Sequence, residues 1–318
     1  MAGSDAMSKM IVTENLSRSF GSIKAVNGIS FSADKGEVLG FLGPNGAGKS
    51  TTMKMLTCFL TPSGGKATVA GFDTVEQSIE VRRQIGYLPE NAPLYGEMEV
   101  LSFLKFIAEV RGVDAKAIPA AIERVLTLTS LTGVTRQRIE TLSKGFKRRV
   151  GLAQSLIHDP AILILDEPTD GLDPNQKFEV RKLISSMGRE KCIILSTHIL
   201  EEVDAVCTRA VIIAKGKIVA DGDPVELRKK SRRYGAVTIA IRGGNTAEIR
   251  KALQGVVGVK EILETPLSGG RTSMTVIPSD GRTLIAEIVR TAEKAKWPLE
   301  DIRLEAGELD EVFREITH

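Results

Sequence analysis

The chain has 318 residues, 42% of them hydrophobic and 26% charged, fractions that exclude a disordered chain and predict real hydrophobic cores. Its 43 basic and 40 acidic side chains leave a net charge of +3, too balanced to make nucleic acid the main partner. Apolar runs such as Ala161 to Leu165 are strand-length and end in charge, far short of the ~20 residues of a membrane-spanning helix, so the chain is not expected to cross a membrane.

From Met10 to about Asp223 short β-rich runs alternate with amphipathic stretches, the pattern of an α/β domain with a largely parallel, buried sheet. Met1 to Lys9 has no apolar signal core and reads as leader residues, which makes the cytoplasm the default address. Glu37 to Leu42, Ile85 to Leu88, Ala161 to Leu165, Cys192 to Ser196 and Ala210 to Ala214 are the predicted strands. Between about Asn91 and Pro160 helical periodicity replaces strand signals, as in Val100 to Arg111 and Ile118 to Leu128, and predicts a helical insert. The basic run Arg228 to Arg233 reads as a solvated helix end or linker, within a boundary at 224–236. Beyond it, 237–318 shows the order β-α-β-β-α-β of a ferredoxin-like fold and a last helix over Leu309 to Ile316. Cys58, Cys192 and Cys207 lie far apart, without spacing for a metal or a disulfide framework, and read as core residues.

Gly43-Pro44-Asn45-Gly46-Ala47-Gly48-Lys49-Ser50-Thr51 fits G-x-x-x-x-G-K-S, directly after the predicted strand Val38 to Leu42 and before the helix-compatible run Thr51 to Leu60. Glycines let such a loop curl so that successive N–H groups and the helix N-terminus face phosphates. Lys49 supplies a positive charge for the terminal phosphates, and the Ser50 hydroxyl suits Mg2+. An ordinary glycine-rich turn would need neither residue.

Ile162-Leu163-Ile164-Leu165-Asp166-Glu167 carries two carboxylates to the end of a buried strand, where open α/β sheets place ligands. Asp166 can hold hydrated Mg2+ and Glu167 can polarise an attacking water. Acidic residues after a strand are often mere helix caps; a phosphate loop upstream gives this pair its meaning. His198, after the β-rich run Cys192 to Leu195, can reach the same phosphates.

In this order, the phosphate loop, Leu142-Ser143-Lys144-Gly145-Phe146, Asp166-Glu167, Asp173 and His198 resemble the ATP-binding cassette of ABC proteins over roughly 10–223, a P-loop NTPase fold with a helical subdomain at about 91–160. The resemblance implies Lys49, Ser50 and Thr51 in the Walker A loop, Asp166 as the Walker B aspartate and Glu167 as catalytic base. It further implies Asp173 as the D-loop residue, His198 as the switch histidine, and Phe20 as the aromatic that stacks on adenine, with a plain core phenylalanine as the alternative. Leu142 to Phe146 is similar to the LSGGQ signature, in which Ser143 and Gly145 bind the γ-phosphate of ATP held by the opposite subunit. Lys144 and Phe146 depart from that pattern, and Glu90 stands where the family has a Q-loop glutamine, a carboxylate still able to reach Mg2+ or water. Glu90, with Leu142 to Gly151 and Gly151-Leu152-Ala153-Gln154, looks most like ABC-2-type exporter and gliding-motility-associated ATPases.

One phosphate loop and one signature per chain imply a dimer of two copies closing around two MgATP molecules. A separate membrane permease is then the implied partner, holding the chain at the inner face of the membrane. The docking surface is expected on the helical insert and the Glu90 loop, including Leu94, Tyr95 and Met98. A membrane-bound mechanical or regulatory complex using the same motor without moving a solute is the alternative. The C-terminal unit shows no cluster of catalytic residues, and a dimer-stabilising or regulatory part is the expectation for it.

Overall fold

Apolar runs in which every residue is buried set the centre of the fold, as expected of parallel strands covered on both faces. In the computed structural model, residues 9–279 and 282–317 are described; of the leader reading Met1 to Lys9, Met1 to Ser8 lie outside them and Lys9 begins the first strand, and His318 also lies outside. The chain divides into two compact units, the first running through Pro224 and the second Val225–Ile316.

The first unit begins with two long strands, β1 (Lys9–Phe20) and β2 (Ile23–Asp34), followed by β3 (Val38–Leu42) and α1 (Lys49–Leu56). Next come β4 (Gly64–Val69), β5 (Phe72–Asp73), α2 (Ser78–Gln84) and β6 (Ile85–Leu88). Three helices follow, α3 (Val100–Val110), α4 (Ile118–Leu128) and α5 (Lys144–Leu156). The unit closes with β7 (Ile162–Asp166), α6 (Pro174–Met187), β8 (Cys192–Thr197), α7 (Leu200–Val206), β9 (Arg209–Ala214) and β10 (Lys217–Gly222).

Six strands form one sheet in the order β10-β9-β3-β8-β7-β6, with β3 parallel to β8 and β9, and β7 parallel to β6 and β8. Alternation along β7 sorts its side chains. Leu163 and Leu165 join a core with Phe103, Leu104, Ile122 and Val125 of α3 and α4. Ile162 and Ile164 join the opposite core with Ile11, Leu16, Phe31 and Met53. Helices α3 and α4 bury Val100, Phe103, Leu104 and Ala108, and Ile118, Ile122, Val125 and Leu126, at the three-to-four spacing of one helix face.

That second core is roofed by a layer the sequence pattern left out, an antiparallel sheet in the order β2-β1-β4-β5. Bulges interrupt the β1–β2 register at Thr13/Leu16 and Leu16/Arg18, so no clean alternation marks these strands. Parallel pairing is therefore confined to the central sheet, whose β9–β10 edge is itself antiparallel.

The second unit contains β11 (Val237–Arg242), α9 (Thr246–Gln254), β12 (Val259–Leu267), β13 (Arg271–Pro278), α10 (Ile285–Lys294), β14 (Leu299–Leu304) and α11 (Leu309–Thr317), preceded by the short α8 (Pro224–Arg228). Its antiparallel sheet runs β12-β13-β11-β14, the ferredoxin-like arrangement, over a core of Val237, Ile239, Ile241, Leu253, Met274 and Ile288. Residues 225–236, a basic linker in the sequence pattern, pack within this unit. Leu227 and Ala236 are buried, Arg232 and Arg233 pair with Glu261 and Glu308, and Ser231 donates to Glu311.

Candidate nucleotide site

Three neighbouring parallel strands, β3, β8 and β7, deliver the candidate site at their C-terminal ends, the edge where open α/β sheets bind ligands. The loop Gly43 to Gly48 leaves β3 and opens α1, whose first turn has no side-chain cap and so keeps its N–H groups for an anion. Gly48 has φ 111°, and a Cβ there would lie 2.5 Å from the Ala25 carbonyl oxygen. Only glycine fits. Lys49 at the start of α1 is buried, and its Nζ donates to the Gly43 and Pro44 carbonyls at 2.6 and 3.3 Å. Burial lowers its pKa, opposed by the carboxylates of Glu167, Asp166 and Glu90.

Asp166 ends β7 at 2% exposure, and its buried Oδ1 has no hydrogen-bond partner in the protein. A carboxylate oxygen so placed is costly unless a cation or donor joins it. Glu167 follows with φ 51°, a left-handed conformation that costs a non-glycine residue about 1–3 kcal/mol. Its N–H donates to the Ser196 carbonyl of β8 at 2.9 Å, and its Oε1 accepts from His198 Nδ1 at 2.9 Å. His198 therefore sits just beyond β8, joined to the predicted base.

Two buried residues that the motifs did not supply hold this edge. Glu202 of α7, 1% exposed, accepts from Thr169 and Thr197, tying the chain after Glu167 to the residue before His198. Burial raises its pKa. Arg148 of α5 donates to the carbonyls of Pro89, Glu90, Asp166, Glu167 and Pro168. A sequence signal existed for both. Glu202 lies on the α7 face that buries Val203 and Val206, and Arg148 lies between Gly145 and Leu152 on the buried face of α5.

The remaining predicted residues lie as follows. Ser143 is the N-cap of α5, its Oγ accepting from the Phe146 N–H at 3.3 Å. Gly145 is buried against Gln176 of α6, whose Oε1 would meet an added Cβ at 2.3 Å. Asp173 caps α6 by accepting from the Gln176 N–H at 2.9 Å. Lys144 pairs with Asp170 at 3.0 Å in an exposed bridge. Glu90 is exposed and lines a cleft of about 380 Å3 with Leu94, Lys144, Lys147 and Asp170. Phe20 is 46% exposed at the end of β1, outside any core, with the Arg18 guanidinium 4.8 Å from its ring centre. Ser50 and Thr51 lie in the first turn of α1. Burial raises the Cys58 thiol to about 11 and Cys192 to about 12, so both are inert at neutral pH.

Residues 26–170 match the model of the ABC transporter family. The chain is 31% identical over 313 residues to the daunorubicin resistance ATP-binding protein DrrA3 of Streptomyces coeruleorubidus, covering 96% of this chain and 95% of that one. It belongs to the ABC transporter ATP-binding proteins. The cassette is 37% identical over 223 residues to the probable multidrug ABC transporter ATP-binding protein YbhF of Escherichia coli, and spans 70% of this chain but 38% of the length of that relative. Its fold also matches the solved structure of an ATP-binding subunit of an ABC transporter with TM-score 0.65 and 27% identity, over 70% of this chain and 92% of that one. The family is one of ATPases, and the fold is that of its cassette. Among the described residues no helix is long and apolar enough to cross a membrane.

Proposed function

We propose that the chain hydrolyses ATP as one half of a head-to-tail dimer and drives a separate membrane permease of the ABC-2 exporter type. The observation that carries the reading is the meeting of Lys49, Asp166 with its buried, unpaired Oδ1, and the Glu167–His198 pair on adjacent strand ends.

The loop Gly43, Pro44, Asn45, Gly46, Ala47, Gly48 and the α1 N-terminus bind the phosphates, with Lys49 exchanging loop carbonyls for phosphate oxygens and Thr51 in the same turn. Phe20 offers an exposed ring for the adenine. Hard oxygen donors fit a divalent cation: the buried Asp166 carboxylate and the Ser50 hydroxyl would hold Mg2+, and Glu90 stands close enough to act on Lys49. When bound, Mg2+ neutralises charge on the phosphate oxygens.

Glu167 orients the attacking water and takes up its proton, and His198 holds that carboxylate through Nδ1. Ser143, Gly145 and Asp173 act across the dimer, a reading supported by Ser143 at the N-cap of α5, where a helix N-terminus favours an anion. The Glu90 loop, with exposed Tyr95 packed edge-on to Phe103 and Phe106, docks the permease beside the cleft. The second unit, 237–318 in the sequence division, has a dimer-stabilising or regulatory part.

Light scattering of Glu167→Gln with and without MgATP tests the reading. The expected result is a monomer that becomes a dimer only with MgATP. A mass unmoved by MgATP would sink the composite-site dimer.

A further inference from the structure

Arg148 donates five hydrogen bonds within the first unit, and no motif quoted above assigns it a part. Its side chain is 9% exposed and sits on the buried face of α5. A guanidinium has five N–H donors in a planar fork and no acceptor. All five acceptors here are main-chain carbonyls on two loops. Nη1 donates to Pro89 at 2.8 Å and Glu90 at 2.6 Å, Nε donates to Pro168 at 3.3 Å, and Nη2 donates to Asp166 and Glu167. One loop carries Glu90, and the other carries the carboxylates of the nucleotide site.

Those contacts land on a strained peptide. The Asp166–Glu167 peptide unit is fixed on one side by Arg148, through the Asp166 carbonyl, and on the other by Ser196, through the Glu167 N–H. The Glu167 carbonyl accepts both from Arg148 and from the Asp170 N–H at 3.1 Å. A non-glycine residue at φ 51° persists only where its surroundings over-determine it, and these four hydrogen bonds do so. Without them the backbone of Glu167 relaxes, and its carboxylate leaves the line set by His198 Nδ1. Burial opposes the charge on Arg148, while Asp166, Asp170, Glu167 and Glu90 favour it, so the guanidinium stays cationic among four carboxylates.

We propose that Arg148 is a positioning residue for the catalytic base: it clamps the left-handed peptide of Glu167 to the Glu90 loop, so that a movement of that loop reaches the base. The inference rests on the reading of Glu167 as base. Lysine, with three donors on one nitrogen, cannot span both loops, and glutamine keeps a planar donor without the charge.

Arg148→Lys and Arg148→Gln, made in the full chain and in Glu167→Gln, test the clamp by four readouts: single-turnover hydrolysis of MgATP, equilibrium ATP affinity, thermal midpoint, and mass by light scattering. The expected result for Arg148→Lys is turnover about 10²-fold lower, the scale of a misplaced catalytic group, with ATP affinity within about threefold. It should also accumulate as a MgATP-dependent dimer, as is expected of Glu167→Gln, and add no further loss of turnover in the Glu167→Gln background. Unchanged turnover in both variants would overturn the clamp, as would additive losses on Glu167→Gln. Loss of ATP affinity, or a collapsed thermal midpoint in both variants, would assign Arg148 to the fold instead. Full turnover in Glu167→Gln alone would instead remove the base reading, so the two failures are told apart.

Discussion

The two units of the chain solve the problem of charge in opposite ways. In the first, Lys49, Arg148, Asp166, Glu167 and Glu202 are all buried, within one edge of the central sheet. In the second, the core is wholly aliphatic apart from Met274, and charges are spent in exposed pairs such as Arg242 with Glu300 at 2.8 Å and Arg303 with Asp301 at 2.6 Å. Burying an ion costs several kcal/mol before its partners offset it, whereas an exposed pair is worth about 0–1 kcal/mol. The difference teaches where selection has acted on chemistry and where on shape. A fold that only had to stand would look like the second unit throughout.

The largest expected effect breaks the contrast at its centre. Glu167→Gln should lower turnover by about 10²–10⁴-fold, the usual worth of a general base, while leaving the thermal midpoint near that of the parent. Phosphate release in single-turnover assays and a melting curve decide it. If both fall together, Glu167 is a structural residue and the contrast is misplaced.

In the second unit the prediction has the opposite form. Ile239→Ala removes a fully buried side chain at the middle of β11 and should cost about 2–5 kcal/mol in denaturant unfolding of that unit. ATP affinity should stay at the parent value. A joint loss would show that the two units share one cooperative transition.

A smaller effect concerns pH. His158 donates from Nε2 to the Ile85 carbonyl at 3.1 Å, and burial, with help from Arg111, pushes its pKa from 6.5 down to about 4. The unfolded chain therefore takes the proton first, and this residue's contribution to stability, complete above pH 6.5, is lost as pH falls towards 4. His158→Gln should flatten that part of the stability profile, read as thermal midpoints across the window. A profile with the parent's slope would assign the dependence to other groups.

The smallest effect is at the surface. Lys144 and Asp170 are 70% and 52% exposed, so Lys144→Gln should change unfolding free energy by less than about 1 kcal/mol. A larger change would mark the bridge as part of the buried network.

Local pattern made much of the central fold legible. Strands β3, β7 and β8 announce themselves as apolar runs because both their faces are buried, and the loop after β3 carries its glycines and lysine in one contiguous stretch. The antiparallel roof was not legible, since its pairing joins Ile11 to Val69 and Thr13 to Phe31 across long intervals, with bulges breaking the period. Within the site, Asp166 and Glu167 stand out by following a strand. The five carbonyls around Arg148 do not, because main-chain acceptors leave no mark in a sequence. Glu202 shows only as a carboxylate on the wrong side of α7.

The left-handed backbone of Glu167 has an evolutionary reading as well. Glycine at this position would relieve about 1 kcal/mol or more of strain, so a population selected for thermal endurance alone should drift there early. Such a lineage would gain robustness and lose its engine in one codon change. A glutamate held where the main chain favours glycine ties the motor's activity to a local cost in stability, written into the torsion angles themselves.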